Sequence, residues 1–122
     1  MATTTVTISN PIGGKRYTDT AASNSAVNAV SGSSTIFHIE FDNTANSTVV
    51  YLKIYEATSV TLGTTEPSII VKAAASSKEY VSIPMGLALG TGISYVATTT
   101  ASNSAGSPAA PSTACGLTFV YN

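Results

Sequence analysis

Two stretches decide the fold: Thr35–Asp42, T-I-F-H-I-E-F-D, and Thr48–Glu56, T-V-V-Y-L-K-I-Y-E. In the first, Phe37, Ile39 and Phe41 alternate with Ile36, His38, Glu40 and Asp42. Read as extended chain, whose side chains point to opposite faces in turn, it has one core side and one wet side. In the second, Val50, Leu52 and Ile54 form the core side, while Val49, Tyr51, Lys53 and Tyr55 face outward. Its β-branched and aromatic content suits a pleated surface. Between the two lies Asn43–Ser47, N-T-A-N-S, a short polar stretch with the chemistry of a turn. The expectation is a hairpin whose two strands are antiparallel neighbours.

The same writing continues outward from this pair. Ser68–Lys72, Lys78–Ile83, Gly92–Thr100 and Cys115–Tyr121 are short β-rich runs bounded by Gly, Pro or Ser clusters, and Thr3–Ser9 and Lys15–Thr20 read alike upstream. Ala26–Ser31 is open between a strand and a helical turn. Ala21–Val30 is the one helix candidate, but its Ser and Asn residues favour turns, so it reads as loop or short strand. The pattern predicts an all-β fold, an antiparallel two-layer β-sandwich of about seven or eight short strands. The 122 residues suit one domain. Residues 1–10 form an N-terminal arm or first strand, and residues 11–122 the sandwich.

Composition narrows the function. A hydrophobic fraction of 43% with a net charge of -1 is the balance of a chain that buries a core, not of a disordered one. Charged residues make up only 9%, and 5 Lys and Arg face 6 Asp and Glu. Nucleic acid and anionic membrane therefore find little to hold, and neither is expected as a partner. With 17 Ser, 19 Thr and 17 Ala, the polar surface is made mostly of hydroxyls. No apolar run has the length of a membrane span, and the start, M-A-T-T-T-V-T-I, lacks the basic and apolar segments of a signal peptide. The expectation is synthesis in the cytoplasm, and the single Cys115 agrees with a reducing compartment.

Chemistry is sparse. His38 shares a strand face with Glu40 and Asp42, but a metal site wants three or four ligands, and solvated carboxylates around a strand histidine are ordinary. Cys115 has the parity of Leu117, Phe119 and Tyr121 and reads as a small buried hydrophobe. The glycines of Gly86–Gly92, G-L-A-L-G-T-G, have the wrong spacing for a phosphate loop and read as turn and bulge positions. Asn46-Ser47-Thr48 matches a glycosylation acceptor but is read as a turn, and the spacing of a calcium loop is missing around Asp42. No catalytic, cofactor-binding or metal-binding residue is assigned, and an enzyme is not expected. Tyrosine supplies large contact area at small entropic cost, which makes outward Tyr51 and Tyr55 candidates for a protein interface. Two long, nearly chargeless loops, Ala57–Pro67 and Ala101–Thr113, either bind something or simply connect.

From Val50 to the final strand the chain carries Y-x-K-x-Y at Tyr51, Lys53 and Tyr55, then G-T-x-x-P at Gly63, Thr64 and Pro67. The pattern closes with G-L-x-x-x-T-G-I-x-Y at Gly86, Leu87, Thr91, Gly92, Ile93 and Tyr95. This pattern resembles a group of small virion structural proteins of tailed bacteriophages. The first 45 residues carry no part of it, and Ala73–Ser77 stands where a Pro or Gly-Gly turn is expected. The resemblance implies a β-sandwich virion component, made in the host cytoplasm, with capsid decoration as the commonest role. Its motif residues are scaffold positions, glycines for turns and tyrosines for packing.

On this reading the chain is a cement or decoration protein that bridges major capsid subunits, neighbouring copies of itself, or both, with a homotrimer suggested by local threefold symmetry. The N-terminal arm, polar and β-branched, could add a strand to a neighbouring sheet edge. Candidate partner-binding residues are Thr3, Thr5 and Thr7 of that arm, Tyr51 and Tyr55, and Ser107, Pro108 and Pro111 of the last long loop. Two alternatives stay open: a tail, baseplate or fibre-associated virion protein, and a glycan- or receptor-binding β-sandwich module.

Overall fold

A computed structural model of the chain describes residues 2–7 and 14–122. Its described residues contain nine strands and no helix. They are β1 (Thr3–Thr7), β2 (Lys15–Ala22), β3 (Val27–Ser31), β4 (Ser34–Asp42), β5 (Val50–Tyr55), β6 (Ile69–Ala73), β7 (Lys78–Leu89), β8 (Gly92–Thr98) and β9 (Cys115–Tyr121). Five form one sheet in the order β1-β2-β9-β4-β7, and four form a second in the order β3-β8-β5-β6. Every pairing is antiparallel. The ambiguous Ala26–Ser31 segment is a strand, and the first run, expected to reach Ser9, is described as strand through Thr7.

The strand order has a simple origin. Strand β5 pairs with β6, β4 with β7, β3 with β8 and β2 with β9. The chain is thus one long antiparallel hairpin, turning at residues 56–68, whose two arms wrap together into two layers. This is the jelly-roll arrangement. Strand β1 adds a fifth member beside β2.

The wrapping overturns one sequence expectation. Strands β4 and β5 are not neighbours: β4 lies in the five-stranded sheet and β5 in the other. The Asn43–Ser47 turn is instead an arch between layers. Turn chemistry is the same for a hairpin and an arch, because it records the local reversal and not the partner that the next strand finds.

A second correction concerns Phe37. Strict alternation puts Phe37 on the core side and Ile36 outside, yet Ile36 is fully buried and Phe37 half-buried. The ladder between β4 and β7 jumps from Ile36↔Leu87 to His38↔Ser82. The same jump on the β9 side pairs Ile36 with Tyr121 and His38 with Val120, so Phe37 is an unpaired bulge residue. One inserted residue reverses the parity before it, which turns Ile36 inward.

The core lies between the layers. Ile36, Ile39, Phe41, Leu117 and Phe119 from the first sheet meet Leu52, Ile54, Val71, Ile93 and Tyr95 from the second. Burying each such side chain is worth about 1.5–3 kcal/mol. Strand β8 is buried at every position, although Ser94, Val96 and Thr98 point away from this core. The long loops cover them, forming a partial third layer on the four-stranded sheet. Gly63 lies so close to the other loop that a Cβ there would meet the Gly106 nitrogen at 2.9 Å, and its φ of 86° suits glycine.

Candidate functional site

Three buried polar clusters account for much of the chain's unusual chemistry, and each one ties separate elements together. In the first, Asp19 of β2 is completely buried. It accepts a hydrogen bond from the Tyr95 hydroxyl of the facing sheet and another, 2.8 Å long, from the Ala21 N–H. The Tyr17 and Tyr95 hydroxyls are 2.9 Å apart. The Tyr17 ring stacks on Phe119 at 4.9 Å and meets Tyr95 edge-on at 5.9 Å. Burial, with the neighbouring Asp19, drives the Tyr95 hydroxyl far above its ordinary pKa, and burial raises that of Tyr17. Both stay protonated donors at any physiological pH, as a buried carboxylate requires.

The second cluster fastens the arch. The Asn43 amide donates to the carbonyls of Thr48 and Ala74 at 2.9 and 3.0 Å. The Asn46 amide donates to the Asn43 side-chain oxygen and to the Thr113 carbonyl, and its own oxygen accepts the Thr113 N–H at 2.8 Å. Three chain segments meet here. Asn46 is buried, so the Asn46-Ser47-Thr48 match is a structural turn. Cys115 packs beside both asparagines, and burial pushes its thiol up to about 11, which makes it an inert small side chain as expected.

The third cluster binds a long loop to the second sheet. The Lys53 ammonium donates to the Ser102 carbonyl, Tyr55 reaches Asn103 at 3.5 Å, and Asn103 donates to the Thr65 carbonyl at 2.8 Å. Desolvation lowers the Lys53 pKa and raises that of Tyr55, which also feels Glu66. Lys53 and Tyr55 do face away from the core, as alternation requires. The loop above them, however, removes them from water.

The sequence candidates are therefore divided. Tyr55, Pro108 and Pro111 are closed off by the chain's own loops, and a partner does not reach them in this conformation. Tyr51 is half-buried and Ser107 exposed. Thr3 and Thr5 are exposed on β1, which is the first strand of a sheet and not a free arm. The side chain of Thr7 lies outside the described residues, as do residues 8–13.

His38 sits on the open outer face of the five-stranded sheet, 3.3 Å from the Ser82 hydroxyl and 6.3 Å ring to ring from Tyr80. Its neighbours Glu40 and Asp42 are engaged by Lys78 at 3.3 and 3.7 Å. Hydrogen bonds from Thr44, aided by Lys78, hold the Asp42 carboxyl below its usual range. Among the described residues no three His, Cys, Asp or Glu side chains come together as a metal site.

Sequence reading missed a protrusion. Opposite the Phe37 bulge, β7 carries Ile83-Pro84-Met85-Gly86 between its paired residues Ser82 and Leu87. Met85 at its tip is 93% exposed, and Tyr80 on the same strand is 57% exposed. Gly86 has a φ of 77° and lies against Thr35 and Phe37. The one signal was a Pro and a Gly inside a β-rich run, which mark bulges and edges. A shallow cleft of about 260 Å³ also lies beside β3, lined by Val27, Asn28, Thr58, Ser59, Val60 and Ser94 among others.

Comparison with known protein families, curated proteins and solved structures finds no match to this chain.

Proposed function

We propose that this chain is a non-enzymatic structural component of a virus particle, a capsid decoration protein that sits across neighbouring shell subunits and braces them. One observation carries the reading: the buried Asp, Lys, Asn and Tyr side chains serve as internal ties between layers and loops. What is left outside is a broad sheet face whose charges balance, with Lys78 bridging Glu40 and Asp42, and an exposed strand edge. Such a body resists deformation and offers area to other proteins, and repetition over a shell turns modest contacts into firm attachment. The hydroxyl-rich, nearly neutral composition and the resemblance in the Tyr51–Tyr95 pattern support the same role. The jelly roll is compatible with it but also hosts lectins and enzymes, so the fold alone does not argue for it.

The test is to add the purified protein to shells assembled without it and to measure co-sedimentation. The expected result is saturable binding, with a copy number in whole particles comparable to that of the shell subunit. A copy number far lower, with no binding to empty shells, refutes a shell position in favour of a tail position. Absence from the particle refutes both.

A further inference from the structure

The two sheets have four outer edges, and the chain treats them unequally. The β7 edge carries Lys78, Glu79 and the Pro84 protrusion, and β6 lies alongside it with Lys72 exposed. The β3 edge is broken by a bulge between Asn28 and Val30. Charge, proline and bulges are the devices that stop a sheet edge from accepting another strand. Strand β1 has none of them. Its five residues, Thr-Thr-Thr-Val-Thr, are uncharged, contain no proline and pair with β2 in unbroken register from Thr3↔Asp19 to Thr7↔Lys15. Thr3 and Thr5 stand opposite Asp19 and Tyr17 in that ladder, which seats β1 beside the buried Asp19 cluster and leaves its other edge without a strand partner among the described residues.

We propose that β1 is a self-association edge: two copies of this chain pair β1 to β1 antiparallel about a twofold axis, joining two five-stranded sheets into one of about ten strands. The occupant follows from the sequence of the edge itself. With the axis at Thr5, Thr4 of one copy stands opposite Val6 of the other, so a methyl-bearing pair forms on the outer face, twice over. No charge is repelled and no donor is missing from the ladder. An edge meant for an oppositely charged partner strand would carry charge of its own. The contact is short, so the free protein is expected to dimerise reversibly and weakly, below the area of a standard stable interface.

The test needs no virus particle, so its outcome is separate from that of the function above. Sedimentation equilibrium of the intact protein should show a monomer–dimer equilibrium. Thr4→Lys with Val6→Lys sets two like-charge pairs across the axis and should weaken the dimer by about tenfold or more. Thr4→Lys with Val6→Glu makes the same two positions complementary; it should restore dimerisation and render it salt-sensitive. Thr5→Cys should cross-link to itself under mild oxidation, since Cys115 is buried. A protein that stays monomeric at the highest soluble concentration overturns the proposal. So does a dimer that the Lys/Lys variant leaves intact, or one that the Lys/Glu variant fails to restore while its circular dichroism and melting temperature match the parent.

Discussion

Tyr95→Phe removes a single oxygen and tests whether the buried Asp19 cluster holds the layers together. The hydroxyl donates to a fully buried carboxylate and lies 2.9 Å from that of Tyr17. A hydrogen bond to a charged group contributes about 1.5–3 kcal/mol, and stranding the neighbouring Tyr17 hydroxyl adds about 0.5–1 kcal/mol. The expected loss is therefore about 2–4 kcal/mol, since the Phe ring refills the same volume and adds no cavity cost. For a domain of this size each kcal/mol lowers Tm by about 3–4 °C, so Tm should fall by about 6–16 °C. Urea unfolding followed by circular dichroism gives the free energy directly. The mechanism also demands coupling. With Asp19→Asn in place there is no buried charge to satisfy, so the same Tyr95→Phe change should cost less by about 1–2 kcal/mol. A loss under about 0.5 kcal/mol, or equal losses in both backgrounds, refutes the reasoning.

Gly86→Ala should cost about 2–3 kcal/mol in urea unfolding, because φ is 77° and the new Cβ would overlap the Thr35 methyl and stand 3.0 Å from the Phe37 ring. Met85→Ala, at the nearly fully exposed neighbouring position, should change stability by less than about 0.5 kcal/mol. Asn46→Ala leaves the Thr113 N–H without its partner and the Asn43 side-chain oxygen with only the weak Cys115 thiol donor, and should cost about 2–3 kcal/mol, with faster amide exchange at Thr113. Alkali should unfold the protein early: Tyr17, Tyr55 and Tyr95 lie above their usual 10.0 and Cys115 rises from 9.0 to about 11, so unfolding releases protons and stability falls as pH climbs past about 9. Lys53 acts in the opposite sense, its lowered pKa adding stability with rising pH, but it is one group against four. A flat stability profile between pH 9 and pH 11 would contradict this account.

Much of the strand content was legible because burial on one face writes alternation directly into the chain. Cys115–Tyr121 is the clearest case, with Cys115, Leu117, Phe119 and Tyr121 buried and the residues between them half-exposed. Legibility failed where a residue's environment is set by something distant in sequence. Lys53 and Tyr55 have the right parity, yet whether they meet water depends on residues 99–106, some fifty positions later. Asp19 looked like one of six scattered carboxylates because its partner is 76 residues away. Phe37 was misplaced because a bulge is a relation between two strands and leaves little trace in either. Of the candidates picked from composition, Thr3, Thr5 and Ser107 are exposed, because an edge strand and a loop tip show their own residues to solvent whatever lies behind them.

Alternation, turn chemistry and the balance of hydrophobic to charged residues determined by themselves that this chain is an all-β sandwich. These are local or summed properties, and a period of two survives whichever strands later pair. Tertiary structure alone decided the jelly-roll order, the arch at Asn43–Ser47, the sealing of Tyr55 and Lys53, and the burial of Asp19 against Tyr95. Each of these depends on contacts between residues far apart in the chain, whose closure is governed by packing and hydrogen-bond satisfaction across the whole core.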